Sequence, residues 1–376
     1  MQWSIQYRPS TEKPVSATRD RLPPQGPKRL VFMPPDYQLH RLRLRAAGST
    51  AAVRNRLCRI LQHKGAEPVE AGDGADLRVE LDVRAPPNSP PDEARHVGTS
   101  ARCGIEVWDA PERTSLCHEN ASVVVHPEAG RAEGQVHPAL LDRPGAGRRD
   151  PLFHLVVLSL VVLLRSQGWF PLHAAALARG GHGVLCPARS GQGKTTIALS
   201  LLRHGWAALS DDTVLLRATD NRVRAHAFRR PFCVDPGAAD CFPELDGPDW
   251  APSLSDASKW HVDVDRLYPG QSMSACTPRL LVLPTIADAP TSRVEPIGPK
   301  PALEELLRQG SFFLSSRPEV AGRHLTVLRQ LVDQARTYRL HAGRDVLETP
   351  KTAHNLLAPL LDEDSAPGTT SGEPLE

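Results

Sequence analysis

Lysine is scarce in this chain of 376 residues. Of the 45 basic residues, seven are lysine and the others are arginine. Acidic residues nearly balance them, and the formal net charge of +2 argues against a protein that binds nucleic acid through bulk electrostatics. The lysines are Lys13, Lys28, Lys64, Lys194, Lys259, Lys300 and Lys351. A lysine inside a recognisable motif of this sequence is therefore informative.

Paired cysteines and long apolar runs are also absent. The seven cysteines include no C-x-x-C pair and their number is odd, which argues against a disulfide framework or a zinc site. The most apolar run, residues 155–164, is about half the length of a bilayer span of about 20 residues, so we expect a buried helix there. Residues 1–35 are polar and contain prolines, unlike a signal peptide. These absences predict a cytoplasmic protein with no membrane partner.

The pattern along the chain predicts two folded domains, in line with about 150 residues per domain. Alternating apolar and polar residues predict strands at 77–84, 104–108 and 121–126, and the spacing of Val53 to Leu61 predicts a helix. The segment 142–149 is rich in Gly, Pro and Arg and predicts the boundary. We expect a flexible N-terminus over 1–35, a smaller α+β domain over 36–150, an α/β domain over 151–361 and a disordered tail over 362–376.

Within the second domain, the same patterns predict individual elements. Helices are expected at about 151–167, 301–309, 318–336 and 350–361, and strands at 172–178, 279–283 and 338–341. Prolines interrupt residues 228–300, so most of that stretch receives no assignment.

The clearest chemistry lies in residues 183–202 (GVLCPARSGQGKTTIALSLL). Its apolar start predicts a strand, Ser190 to Thr196 a glycine-rich loop, and the apolar residues that follow a helix. This is the order of a Walker A phosphate loop, G-x-x-x-x-G-K-[ST]. The first position of the pattern is Ala188 instead of glycine. Because that glycine often has a backbone conformation that alanine disfavours, we expect strain of about 1 kcal/mol there.

Each residue type in this loop suits phosphate binding. Gly191 and Gly193 let the backbone N–H groups turn around a triphosphate without a side-chain clash. The loop leads into a helix N-terminus, which favours an anion. Lys194 supplies a mobile charge for the β- and γ-phosphates, and the Thr195 hydroxyl can bind Mg²⁺. The alternative is a glycine-rich turn with no ligand.

Two further candidates flank the loop in the sequence. Asp211 and Asp212 follow the apolar residues 206–209, and a carboxylate at such a strand end can hold Mg²⁺ or accept a proton. Because side chains alternate on an extended chain, we expect only one of the two to point into the site. The alternative is an Asp-rich turn. His173 begins the predicted strand before the loop, where a structural histidine is the ordinary interpretation.

Together, the strings LHAAA (172–176), GVL…SGQGKTT (183–196) and HGW…LSDD (204–212) resemble HPr kinase/phosphorylase and the shorter HPr-kinase-related proteins. Those proteins share a P-loop kinase core related to that of phosphoenolpyruvate carboxykinase. The resemblance therefore implies an α/β fold of this type for residues 151–361. The spacings agree with the family pattern: 21 residues separate His173 from Lys194, and 18 separate Lys194 from Asp212.

The resemblance also implies ATP and Mg²⁺ as cofactors. The residues that would bind the ATP phosphates are Ser190, Gly191, Gln192, Gly193, Lys194, Thr195 and Thr196. Lys194 would neutralise charge on the transferred phosphate, and Thr195 and Asp211 would hold the metal. Asp212 is favoured as the base that accepts the proton of the substrate hydroxyl, although Asp211 stays open for that role. His173 would support the loop or the base.

The chain departs from the parent enzyme after these motifs. Thr196 stands where the parent has an acidic residue, and the parent's glycine-bearing signature after the aspartate pair is missing, so phosphorylase activity is not expected. Asp235 is a candidate second metal carboxylate, and Arg229 and Arg230 are candidates for clamping a phosphate. Lys259 is a further open candidate. For each of these residues, an ordinary solvated position is the alternative.

The leading hypothesis is a kinase that transfers the γ-phosphate of ATP to a Ser or Thr hydroxyl of a small protein or peptide, with the N-terminal domain helping to bind that partner. The alternatives are a module that only binds and hydrolyses ATP, a small-molecule kinase acting on a compound such as serine, and a relative without turnover. No Gln or Glu stands beside Asp212 to orient water, which favours transfer. The sequence leaves self-association open.

Overall fold

The computed structural model describes residues 36–86, 93–100, 103–142, 150–220, 222–228, 231–246, 250–309, 317–349 and 351–362. The strands are β1 (Asp36–Leu39), β2 (Leu42–Gly48), β3 (Glu67–Val69), β4 (Leu77–Val83), β5 (Arg95–Thr99), β6 (Glu106–Asp109), β7 (Thr114–His118), β8 (Ala121–His126), β9 (Arg131–Val136), β10 (Phe170–Leu172), β11 (Ala174–Arg179), β12 (His182–Pro187), β13 (Ala207–Ser210), β14 (Val214–Thr219), β15 (Arg222–Ala227), β16 (Phe232–Val234), β17 (Ala251–Pro252), β18 (Trp260–Val262), β19 (Ala275–Ile286), β20 (Arg293–Pro296) and β21 (Arg336–Ala342). The helices are α1 (Ala51–His63), α2 (Ala139–Asp142), α3 (Pro151–Ser166), α4 (Lys194–Leu202), α5 (Val264–Leu267), α6 (Pro299–Gln309), α7 (Pro318–Gln334), α8 (Asp345–Glu348) and α9 (Lys351–Asp362), with 3-10 turns at Pro236–Asp240 and Pro243–Leu245.

The first sheet is built from the N-terminal part of the chain. Its strand order is β3-β1-β2-β4-β9-β8-β7-β6-β5, parallel between β2, β4 and β9 and antiparallel elsewhere. Helix α1 begins after Thr50, whose hydroxyl accepts a hydrogen bond from the Val53 backbone N–H. The strands predicted at 77–84 and 121–126 and the helix predicted near Val53 are confirmed. The strand predicted at 104–108 begins two residues later.

Helix α3 contains the apolar run of the sequence. Asp150 caps its start by accepting a hydrogen bond from the Leu152 N–H at 3.1 Å, and Pro151 occupies the first turn. Every residue from Leu152 to Arg165 is buried. The helix packs on β7 and β8 of the first sheet and also touches β10 and α7. A helix that is apolar on all sides is covered on all sides, so the predicted buried helix is confirmed.

No helix in the described part of the chain is long and apolar enough to cross a membrane. The domain boundary predicted at 142–149 falls almost wholly outside the described residues and stays a prediction. The same holds for the expected flexible N-terminus over 1–35 and for the expected tail over 362–376, except for Asp362, which is the last residue of α9.

The second sheet carries the candidate site. Its order is β10-β14-β15-β19-β12-β11-β13, with β21 beside β19 and β20 beside β21. Strands β12, β19 and β21 are parallel to one another. Helices α4 and α9 pack on one face of this sheet, and α6 and α7 pack on the other. Helices on both faces make this an α/β arrangement, as expected. The helices and strands predicted at 301–309, 318–336, 350–361, 279–283 and 338–341 correspond to α6, α7, α9, β19 and β21.

Candidate functional site

The glycine loop joins β12 to α4 in the order that the sequence predicts. Gly191 has φ 85° and Gly193 has φ 79°, in the left-handed region that glycine adopts without a steric cost. Gly193 directly precedes the first residue of α4. Ala188 is buried and its φ is not positive, so the strain expected at this position does not arise. Alanine therefore fits the first position of the loop.

Lys194, the first residue of α4, points its side chain back into the loop. Its Nζ donates hydrogen bonds to the backbone oxygens of Ala188 at 2.6 Å and Arg189 at 3.0 Å. The side chain is buried, and this burial lowers the pKa of Lys194, while the carboxylates of Asp212 and Asp211 raise it. The ammonium group is thus held by neutral carbonyls within the electrostatic reach of two carboxylates.

The aspartate pair follows β13, which ends at Ser210. The Ser210 hydroxyl accepts hydrogen bonds from the N–H groups of Asp212 at 3.2 Å and Thr213 at 3.1 Å, and the chain bends there. Because the backbone is bent and not extended, Asp211 and Asp212 both line the same cavity. The expectation that only one of them would face the site is therefore wrong.

The two carboxylates have different surroundings. Asp211 is buried, and its Oδ2 accepts a hydrogen bond from the Cys233 N–H at 3.0 Å. The Asp212 side chain is 25% exposed, and its Oδ2 accepts a hydrogen bond from the Thr213 hydroxyl at 2.8 Å. Asp211 is fixed by the backbone of a neighbouring strand, whereas Asp212 is held by its own neighbour and reaches the open space of the cavity.

His173 lies at a break in the strand predicted for 172–178. The chain pairs with β14 up to Leu172 and with β12 from Ala174 onwards, so His173 stands where it changes partners. Its Nδ1 is 3.6 Å from Asp212 Oδ1. Burial holds the pKa of His173 well below its usual value, against the opposing effect of Asp212. The imidazole is therefore neutral at physiological pH, and its contact with Asp212 is polar without being a full ion pair.

A cavity of about 450 Å³ brings most of the predicted residues together. The predicted residues that line it are His173, Ser190, Gly191, Gly193, Lys194, Thr195, Thr196, Asp211 and Asp212. Gln192 is not part of the lining, and its side-chain oxygen accepts a hydrogen bond from the Ile286 N–H at 3.4 Å. Asp235 lines the cavity but is exposed, and it accepts a hydrogen bond from the Gly237 N–H at 3.0 Å. Arg229 and Arg230 lie outside the described residues.

Some lining residues were not predicted from the sequence. Lys64 directly follows α1 in the N-terminal part of the chain. Its Nζ lies 4.9 Å from the ring centre of Phe228 and 5.7 Å from that of Phe153. Phe153 and His154 of α3 also line the cavity, as do Cys233, Ser255 and Asp256. The chain has seven lysines, and three of them line this cavity: Lys64, Lys194 and Lys259. The scarcity of lysine made Lys64 worth locating, but no local sequence pattern placed it near the glycine loop.

Comparisons with known proteins find distant similarity. The family model of the SynChlorMet cassette protein ScmC matches residues 152–250, a segment that contains His173, the glycine loop and the aspartate pair. Among solved structures, the Hpr(Ser) kinase/phosphatase from Coxiella burnetii is similar at 12% identity and a TM-score of 0.30, over 52% of this chain and 99% of that chain. No curated protein matches the chain.

Proposed function

We propose that this protein transfers the γ-phosphate of ATP to a Ser or Thr hydroxyl of a small protein or peptide. The observation that carries the proposal is the convergence of Lys194, Asp211 and Asp212 on the cavity that the glycine loop borders. A phosphate site and carboxylates facing one space are the parts that phosphoryl transfer needs, since catalysis of this reaction consists mainly of positioning and charge stabilisation.

The loop supports the phosphate end of this proposal. It leads into the N-terminus of α4, where free backbone N–H groups and the helix dipole favour an anion. In the two hydrogen bonds described above, the ammonium group of Lys194 donates to backbone carbonyl oxygens. Phosphate oxygens are stronger acceptors because they carry charge. We therefore expect Lys194 to exchange these carbonyls for the phosphates of ATP.

The donor set fits magnesium bound together with ATP. Mg²⁺ in nucleotide sites usually takes one or two protein oxygens and completes its shell with phosphates and water. The Thr195 hydroxyl and the Asp211 carboxylate line the cavity and would hold the ion, which would neutralise charge on the phosphates. Among the described residues, no group of three or more His, Cys, Asp or Glu side chains could hold a metal by itself. Such a site would depend on the nucleotide.

The surroundings of Asp212 favour it as the proton acceptor. It is the more exposed of the two aspartates, and it is contacted by the neutral His173 and by the Thr213 hydroxyl, which would orient its carboxylate. The described residues that line the cavity include no Gln or Glu side chain to orient a water molecule. This supports transfer to a hydroxyl over hydrolysis of ATP.

The test is an assay with γ-labelled ATP and Mg²⁺. The purified protein is offered Ser- and Thr-containing peptides encoded near its gene and, separately, free serine. We expect label on a peptide hydroxyl with the unchanged protein and its loss in Lys194→Ala. Lys351→Ala serves as the matched control, because Lys351 is an exposed lysine of α9 that does not line the cavity.

Three results would contradict the proposal. Undiminished transfer by Lys194→Ala would remove the role of the loop. Label recovered only as free phosphate with every acceptor would indicate an ATPase. Label recovered on free serine and on no peptide would indicate a small-molecule kinase.

A further inference from the structure

Two large apolar side chains are exposed at the rim of the cavity. Ile286 is 65% exposed and Leu347 is 51% exposed, and within the described ranges no other large hydrophobic side chain is exposed. Both residues line the cavity. Single exposed apolar residues are ordinary, but a pair at the mouth of a cavity that also contains charged side chains is typical of a contact surface for a ligand.

The strand order places this apolar pair on the opposite side of the loop from the aspartates. The relevant part of the sheet runs β13-β11-β12-β19-β21. Asp211 and Asp212 follow β13, the glycine loop follows β12, Ile286 ends β19, and Leu347 lies in α8 just after β21. Since β12, β19 and β21 are parallel, their carboxyl ends share one edge of the sheet. The loop therefore lies between the carboxylates and the apolar pair.

The backbone around the pair is fixed. Ile286 is paired with Ala342 in the register of β19 and β21, and its N–H donates to the Gln192 side chain of the glycine loop at 3.4 Å. The turn before Leu347 is held by Asp345, which accepts a hydrogen bond from the Ser292 N–H at 3.0 Å. The apolar side chains are thus presented to solvent by an ordered edge of the sheet that contacts the loop directly.

We propose that Ile286 and Leu347 form the contact surface for the nucleobase of the bound nucleotide. This inference rests on the proposed function, in which the γ-phosphate faces Asp212. A nucleoside triphosphate bound in that direction extends its nucleoside end away from the aspartates, towards the apolar pair. A flat base would cover both side chains and remove apolar surface from water. Because these side chains carry no hydrogen-bonding group, they favour a purine without selecting adenine over guanine.

The test compares ATP with inorganic tripolyphosphate, which has the phosphates and lacks the nucleoside. Binding of each to the full-length protein is measured by calorimetry in Mg²⁺, for the unchanged protein and for Ile286→Ser with Leu347→Ser. We expect the double variant to bind ATP and GTP about tenfold more weakly, the range known for lost apolar contacts in a pocket. Its affinity for tripolyphosphate should stay unchanged. The conservative Ile286→Leu variant should keep its affinity for ATP.

The outcomes separate this inference from the proposed function. Equal weakening of ATP and tripolyphosphate would overturn the inference, because the residues would then act on the loop and not on the base. Unchanged ATP affinity with a raised KM for the acceptor would also overturn it and assign the rim to the acceptor. If the unchanged protein binds tripolyphosphate as tightly as ATP, only the inference fails. If it binds neither, the proposed function and the inference fail together.

Discussion

The first region of the molecule, which contains the first sheet, and the second region, which contains the second sheet, differ in how a buried charge is paired. In the first sheet, Asp36 is fully buried, and it accepts hydrogen bonds from Arg43 Nε at 2.7 Å, from Arg45 Nε at 2.8 Å and from the Gly72 N–H at 3.2 Å. The Arg45 guanidinium, with Arg43 and Gly72, holds the pKa of Asp36 well below its usual range. In the second region, Lys194 is bonded to neutral carbonyls. The first charge is paired with opposite charges within the fold, whereas the second is bonded to uncharged oxygens, which suits the phosphate-binding role proposed for Lys194.

The comparison is sharpest for two aspartates that receive the same substitution. In Asp212→Asn, we expect transfer to fall by about 10²- to 10⁴-fold, the usual contribution of a general base. The melting temperature should change little, because the Asp212 side chain is partly exposed and its amide replacement can still accept the Thr213 hydrogen bond. The measurements are kcat for peptide phosphorylation and thermal unfolding. A stable variant with full activity would remove Asp212 as the base.

Asp36→Asn should have the opposite outcome. Removing the negative charge leaves Arg43 and Arg45 beside a neutral partner, and breaking a buried ion pair costs about 3–5 kcal/mol of the free energy of unfolding. The activity of each folded molecule should not change, since Asp36 does not line the cavity. Urea unfolding measures the first quantity and active-site titration the second. A loss of less than about 1 kcal/mol would show that this network does not fix the first sheet.

The features that could be predicted from the sequence are those that neighbouring residues determine, whereas features that depend on contacts between distant residues could not be predicted. The glycine loop could be predicted because its strand, glycines and helix are consecutive residues. The bend at the aspartates could not, because it depends on the Ser210 hydroxyl accepting two particular N–H groups. The break at His173 depends on β10 and β11 choosing different partner strands. Lys64 reaches the cavity only because α1 packs beside α3, a tertiary contact that no local pattern encodes.

A third prediction concerns His324, a buried histidine of the second region whose charged form is disfavoured by burial. His324 of α7 is fully buried and stacks on Phe170 at 4.9 Å, and burial lowers its pKa to about 3. As pH falls below the ordinary value of about 6.5, the unfolded chain takes up a proton that the folded chain does not, so stability is lost. Between pH 7.5 and 5.5 this loss is about 1.4 kcal/mol. In His324→Phe, the loss between these pH values should be smaller by that amount, measured by urea unfolding. An unchanged pH dependence would contradict the neutral state of His324.

The smallest expected effect concerns Lys64, which follows α1 of the first region and lines the cavity beside the second sheet. Lys64 belongs to the first region yet lines the cavity, so Lys64→Met should raise the KM of an acidic acceptor peptide by about fivefold, or about 1 kcal/mol. The Kd for ATP should stay unchanged. Lys300→Met, at an exposed position of α6, is the control. A raised Kd for ATP with an unchanged KM for the acceptor would instead assign Lys64 to the nucleotide.

Helix α3 has a consequence for how the two regions can be separated. Its side chains are covered by the first sheet on one side and by β10 and α7 on the other. A shortened protein that began at residue 151 would carry this helix with one flank uncovered, and one that began after Ser166 would leave β10 and α7 without the helix that packs on them. Large uncovered apolar surfaces drive aggregation. The two regions are therefore expected to be produced, and to unfold, as one cooperative unit.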